Sequence, residues 1–141
     1  MKKICQNRKA HFDYEILEKI EAGIVLQGAE IKSARQHLVS LDGAYAIVEG
    51  KEAFLLQCNI EPYSHSSQSL SSTRPRKLLL KKQEIKRLSE TVQAKGSTLI
   101  PLSMYLKNGF AKIELGVCKG KKNYDKRNSI KEQEAKKEMR N

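Results

Sequence analysis

The chain has 141 residues, enough for one compact domain and a short appendage. Its formal net charge is +11, from 27 Lys or Arg against 16 Asp or Glu, which points to a polyanionic partner such as RNA or DNA. Cys5, Cys58 and Cys118 are odd in number and far apart, with no CxxC and no Cys/His cluster of zinc spacing, so a disulfide framework and a zinc site are both excluded. Isolated thiols of this kind fit a reducing cytoplasm. Lys2 and Lys3 are not followed by an apolar run, so a signal peptide is not expected, and no stretch approaches the roughly 18 apolar residues of a membrane span.

Tyr14 to Leu26 mixes β-branched residues with charges and is interrupted at Ala22-Gly23. It reads as two short strands, or as one bent strand with a bulge at Gly23. From Gly28 to Leu38 the spacing of Ile31, Ala34 and Leu38 predicts a short amphipathic helix with Lys32 and Arg35 outward. Ala44–Glu49 and Ala53–Asn59 are strand-like and flank a Gly50-Lys51 turn. Tyr63–Thr73 holds six serines in eleven residues and reads as a long flexible loop. Lys81–Lys95 places Ile85, Leu88 and Val92 on one helical face, with Gly96 just past the end.

Thr98–Leu106 and Phe110–Cys118 flank Lys107-Asn108-Gly109, a strong hairpin signal because Asn and Gly tolerate positive φ. In the second strand Ala111, Ile113, Leu115 and Val117 alternate with Lys112, Glu114 and Gly116, so one face is buried and the other wet. About six short strands and two helices make the fold mainly β with flanking helices, an OB-like small β-barrel spanning residues 1–118.

Residues 119–141 form a basic tail with nine Lys or Arg against four acids. Ser129 and Glu132 match a capping box, and Glu132 and Lys136 form a favourable pair one turn apart. The only large apolar residues after Tyr124 are Ile130 and Met139, so the tail is expected to be disordered when free and helical when bound.

No catalytic constellation is apparent. His11, His37 and His65 are scattered, and there is no Walker A, GxGxxG or GxSxG motif. Two basic clusters stand out instead. Arg74, Arg76, Lys77, Lys81 and Lys82 are expected at phosphates, with Pro75 holding the chain extended. Lys119, Gly120, Lys121, Lys122, Tyr124, Asp125, Lys126 and Arg127 open the tail, where Tyr124 either stacks on a base, or is simply solvated or packs back on the body. Simple alternation puts Glu15 and Glu21 on one strand face. That face is either merely solvated, or Glu21 accepts hydrogen bonds from a base edge or a ribose hydroxyl.

Five collinear stretches resemble the SmpB family, the SsrA-binding proteins of bacteria. They are Asn7-Arg8-Lys9-Ala10, Glu21 to Leu26, Gly28 to Arg35, Arg76 to Leu80, and Gly120 to Arg127, and the resemblance runs from about residue 7 to residue 138. It implies an OB-like barrel, no enzymatic activity, no metal and no cofactor. It implies a protein that binds the tRNA-like domain of transfer-messenger RNA, takes the place of an anticodon arm, and delivers that RNA to ribosomes stalled on messages without a stop codon. Alanyl-tRNA synthetase and elongation factor Tu would be reached only through the RNA. Among matching positions, Asn7, Arg8, Lys9, Glu21 and Leu79 fall on the body's RNA-binding surface. Lys81 stands where some members have Asn, so a phosphate contact suits it better than a base contact. The tail from Lys119 to Lys131, Ile130 included, matches the part that enters the small-subunit decoding centre and the mRNA channel. Tyr124 falls where members have Tyr or His. The serine-rich loop matches no family motif.

A generic single-strand binder on an OB fold, a ribonuclease and a structural ribosomal protein are the competing expectations. The first calls for surface aromatics on the barrel, which the absence of Trp and the placing of most Phe and Tyr in strand cores disfavour.

Overall fold

A computed structural model describes residues 2–61 and 72–120. The elements are β1 (Lys2–Gln6), α1 (Arg8–Asp13), β2 (Tyr14–Ile24), α2 (Gly28–Arg35), β3 (Val39–Ser40), β4 (Tyr45–Glu49), β5 (Glu52–Leu56), β6 (Asn59–Ile60), β7 (Arg76–Leu79), α3 (Lys82–Lys95), β8 (Thr98–Lys107) and β9 (Phe110–Gly120). Every pairing is antiparallel. The order β8–β4–β5–β7–β2–β9 returns to β8 through the β8–β9 ladder, so six strands close into a barrel and β1 joins it along β8. Closure leaves the ring without free edges and confirms the expected barrel with flanking helices. β3 and β6 form a separate two-stranded ladder. Among the described residues no helix is long and apolar enough to cross a membrane.

The interior is filled by alternate residues of facing strands, Leu55, Leu78, Met104, Ile113, Leu115 and Val117 among them, each at most 1% exposed. α3 adds Leu88 to the same core, with Val92 packed against it. It ends as the sequence predicts: Gly96 takes the left-handed conformation at φ +58 and its N–H bonds the Val92 carbonyl.

The β8–β9 hairpin also matches expectation. Asn108 and Gly109 have φ values of +53 and +81, the doubly positive geometry of a tight hairpin turn.

Three local expectations change. Tyr14–Ile24 is one continuous strand whose irregularity lies between Ile16 and Glu18 rather than at Gly23. Because Ile16 pairs with Cys118 and Glu18 with Val117, the extra residue inverts the alternation. Glu15 and Glu18 then share one face and Glu21 lies on the other, contrary to simple alternation. α2 stops at Arg35 instead of Leu38, because His37 adopts φ +61 and its N–H returns to the Ala34 carbonyl; its ring Nδ1 lies 2.9 Å from the Ile4 carbonyl oxygen, holding the turn. β1, α1 and the short strands β3 and β7 add to the elements expected from the sequence.

Candidate nucleic-acid interface

The outer face of the sheet is divided in two. At one end α1 covers it: Ala10 packs with Ile100, Leu102 and Cys118, and Tyr14 and Ile16 border them. Gly116 permits this, since a Cβ there would lie 2.9 Å from Leu102 Cδ1 and 3.0 Å from Cys118 Sγ. Buried thiols cannot ionise easily, and burial pushes Cys118 up to about 11. At the other end the face is open.

The strand registers place one row of residues across five strands of that open end. Lys3 pairs with Tyr105, Tyr105 with Lys112, Lys112 with Gly23, and Gly23 with Leu79. The next positions outward on β2 and β7 are Val25 and Lys77, joined by a 3.0 Å bond from the Val25 N–H to the Lys77 carbonyl. Leu79 is 55% exposed and lies over Gly23, whose absent Cβ would sit 3.1 Å from that of Leu79. A side chain at residue 23 would displace Leu79, so the glycine serves close approach.

Glu21 stands on this face, opposite Glu114. Its Oε2 accepts from the Tyr105 hydroxyl at 2.5 Å and lies 3.6 Å from Lys107 Nζ. The Tyr105 hydrogen bond, helped by Lys107 and Lys112, outweighs desolvation and holds this carboxyl below its ordinary value. Burial and the neighbouring Glu21 push the Tyr105 phenol up, so Tyr105 remains a donor. Glu21 is thus an anion embedded among lysines, with Oε1 outside both contacts.

The basic cluster expected at residues 74–82 separates into two roles. Lys77 is exposed, 3.6 Å from the equally exposed Glu52, a surface pair worth about 0–1 kcal/mol that a phosphate can displace. Lys81 and Lys82 are exposed at the start of α3, where the Lys81 N–H bonds Glu84 Oε1 at 2.8 Å. Arg76 corrects the sequence expectation: it is 0% exposed and cannot meet a phosphate from this position. Its Nε donates to Glu30 Oε2 at 2.8 Å, one terminal nitrogen to the Cys58 carbonyl at 2.7 Å, the other to the Ser72 carbonyl at 3.1 Å. Arg74 is held by the same carboxylate, Nε to Oε2 at 3.1 Å. Burial pushes the Glu30 carboxyl up, but bonds from Arg74, the Gln27 N–H and Arg76 outweigh it, and the net shift is downward.

Asn7 is likewise internal. Its carbonyl oxygen caps α1 by accepting from the Ala10 N–H at 3.1 Å, and its amide nitrogen donates to the Pro101 and Leu41 carbonyls at 2.9 and 3.3 Å. Asn7 therefore anchors α1, on which Arg8 and Lys9 are exposed. Lys9 also lines an open cleft of about 320 Å³ together with Asp13, Tyr14, Tyr45 and Thr98.

Lys119 and Gly120, assigned to the tail by sequence, are the last residues of β9 and pair with Glu15 and Tyr14. Lys121, Lys122, Tyr124, Asp125, Lys126, Arg127, Ile130 and Lys131 lie outside the described residues, as does most of the serine-rich loop. Sequence reasoning missed Lys3, Tyr105 and Lys107, and its placing of most Phe and Tyr in strand cores is overturned: of the described ones only Tyr105 is buried, while Tyr45 and Phe110 are exposed. For Lys112 the signal existed, since alternation in β9 had already put it on the wet face.

A closed barrel presenting lysines, a carboxylate and an exposed leucine on one open sheet face belongs to the small β-barrel proteins that bind nucleic acid on such a surface. The family described as SmpB protein matches residues 4–141, and the chain belongs to that family. An SsrA-binding protein of Desulfitobacterium hafniense is 51% identical over 140 residues, covering 99% of this chain and 90% of the relative. One of Geobacillus kaustophilus is 51% identical over 139 residues, with 98% and 90% covered. One of Treponema denticola is 48% identical over 140 residues, with 99% and 91% covered. A solved structure described as "tmRNA-SmpB: a journey to the center of the bacterial ribosome" superposes with a TM-score of 0.72 at 42% identity, covering 89% of this chain and 93% of that one.

Proposed function

We propose that this protein binds transfer-messenger RNA and delivers it to stalled ribosomes for trans-translation. Membership of the SmpB family supports it, together with the name SsrA-binding protein borne by its relatives. The observation that carries the structural side is the row Lys3–Tyr105–Lys112–Gly23–Leu79 crossing five strands, with two lysines and the exposed Leu79 on it and Glu21 and Lys107 on the same face. Lysines there and on α1 neutralise phosphates of the tRNA-like domain, while Glu21 accepts from a base edge or a ribose hydroxyl. The body so bound stands in for an anticodon arm. The tail from residue 121 reaches the small-subunit decoding centre and the mRNA channel, with Tyr124 stacking on a base and Lys126, Arg127 and Lys131 meeting phosphates. Alanyl-tRNA synthetase and elongation factor Tu act on the RNA, so they meet the protein indirectly. The protein is a binder that performs no reaction of its own, and it works in the cytoplasm.

Filter binding of the full chain to the transcribed tRNA-like domain, against an elongator tRNA, tests this. Tight binding that prefers the tRNA-like domain and falls steeply with salt is expected, because each neutralised phosphate releases counterions. Equal binding to both RNAs, or no tagging of stalled peptides in a purified translation system, would overturn it. Incubation with end-labelled RNA checks the absence of cleavage.

A further inference from the structure

Phe110 is the first residue of β9, at the tip of the β8–β9 hairpin, and is 70% exposed. No other large apolar residue among those described is as exposed: Leu79, Val25 and Tyr45 follow at 55%, 42% and 37%. A phenylalanine left in water forgoes most of the gain from burial, and nothing in the barrel requires an aromatic ring at that position.

The register fixes where the ring stands. Leu106 and Ala111 pair with each other and pack toward the core. Their neighbours Lys107 and Phe110, also a pair, therefore fall on the opposite, outer face. That is the face of Lys112, Gly23 and Leu79. Phe110 extends the basic strip by one residue pair beyond Lys112, with Lys107 directly across from it. Lys107 is half-exposed and held toward Glu21 at 3.6 Å. A tight two-residue turn at Asn108-Gly109 carries the ring, and a ring with two side-chain torsions loses little entropy when it stacks.

We propose that Phe110 is a nucleobase-stacking residue, receiving an unpaired base of the RNA that the open face binds, with Lys107 and Lys112 on the flanking phosphates. The inference rests on the RNA-binding function proposed above and adds a contact to it. A protein partner suits the surface less well: Lys107 is directly across from the ring and Lys112 is two residues along on the same face, and a specific protein interface buries about 800 Å² per side. A basic setting around one exposed aromatic is the arrangement that holds single-stranded nucleic acid.

The chain contains no Trp, so Phe110→Trp places a single fluorophore at the tip. Titration of that variant with the tRNA-like domain, and separately with vacant ribosomes, reads stacking directly. Lys51→Trp, on the distant β4–β5 turn, is the control. Strong quenching at residue 110 by the tRNA-like domain and little at residue 51 is expected, and quenching by ribosomes alone would overturn the assignment of the base to the RNA on the open face. Phe110→Ala should weaken binding about 5- to 150-fold, the range spanned by one stacked base, without changing the melting temperature. Phe110→Leu should behave like Phe110→Ala, whereas Phe110→Tyr should retain affinity. Phe110→Leu binding like the wild type would mean apolar docking and refute stacking. Absence of quenching by either RNA, with wild-type affinity intact, refutes this inference alone. Loss of wild-type binding to the tRNA-like domain would remove the proposed function and this inference with it.

Discussion

Replacing Glu30 by Gln removes one negative charge from a site where two guanidinium groups converge while keeping the shape of the side chain. Gln can still accept from the Gln27 N–H, which lies 2.8 Å from Oε1 in the wild type, so α2 keeps its N-terminal cap. What it cannot do is neutralise Arg76. That guanidinium is fully buried, and without the carboxylate its remaining partners are two neutral carbonyls, those of Cys58 and Ser72. Breaking a buried pair from one side costs about 3–5 kcal/mol, because a charge is left uncompensated. Against a domain stability of about 5–15 kcal/mol this is a large fraction. With a urea slope of about 1.5 kcal/mol per M, the unfolding midpoint should fall by roughly 2–3 M. Glu30→Gln/Arg76→Met removes both charges and should recover much of the loss. The acid limb gives an independent check. Since the folded-state pKa of Glu30 is lowered, its contribution is fully present above the ordinary carboxylate value and is lost as pH falls through the depressed one. The wild type should therefore lose stability more steeply below about pH 4.5 than Glu30→Gln does. A Gln variant within about 1 kcal/mol of the wild type at pH 7, with an unchanged acid slope, would refute the reasoning.

Glu21→Ala should weaken binding of the tRNA-like RNA even though it raises the net positive charge, because RNA donors and the Tyr105 hydroxyl lose their acceptor; roughly 5- to 150-fold is expected from about 1–3 kcal/mol, and tighter binding would mean the carboxylate is only a solvated strand residue. Lys77→Gln should reduce the slope of log affinity against log salt by about one while leaving the urea midpoint in place, whereas Arg76→Gln should do the reverse, and equal effects on both readouts would erase the distinction between exposed and buried cations. Truncation after Gly120 should leave RNA affinity near that of the full chain but abolish tagging on stalled ribosomes, with Tyr124→Ala more damaging than Tyr124→His because His still stacks; tagging at the normal rate by the truncated chain would make the tail a solubilising appendage.

What the sequence made legible follows from local rules. Asn108-Gly109 and the alternation after it specified the β8–β9 hairpin without outside help, and Ile85, Leu88 and Val92 with Gly96 specified α3. β1 stayed hidden because only Ile4 of its five residues is buried, and its identity as a strand comes from pairing with residues about a hundred positions away. α1 has six residues and depends on Asn7, whose side chain also binds carbonyls of Leu41 and Pro101; no helical periodicity can announce so short an element. The run of basic residues at 74–82 did not show which of its members are exposed and which are buried. Whether an arginine faces a phosphate or lies beneath the sheet depended on Glu30, on another element 46 residues earlier. The inverted face of Glu15 depended on one extra residue at the β2 irregularity, which leaves no compositional trace.

β9 also acts as a ruler. The hairpin tip is at Phe110 and the tail departs after Gly120, at opposite ends of one strand, so roughly 30 Å of rigid ladder separates them. The tail leaves beside the start of β2, at the end of the barrel where α1 sits, while the open face lies toward the other end. If the open face holds RNA as proposed, that contact and the point where residue 121 begins are kept apart by a fixed length of ladder. Deleting two residues from β9 would preserve which side chains face outward but bring the two contacts closer by roughly 7 Å, and a machine that must touch two places at once would miss one of them.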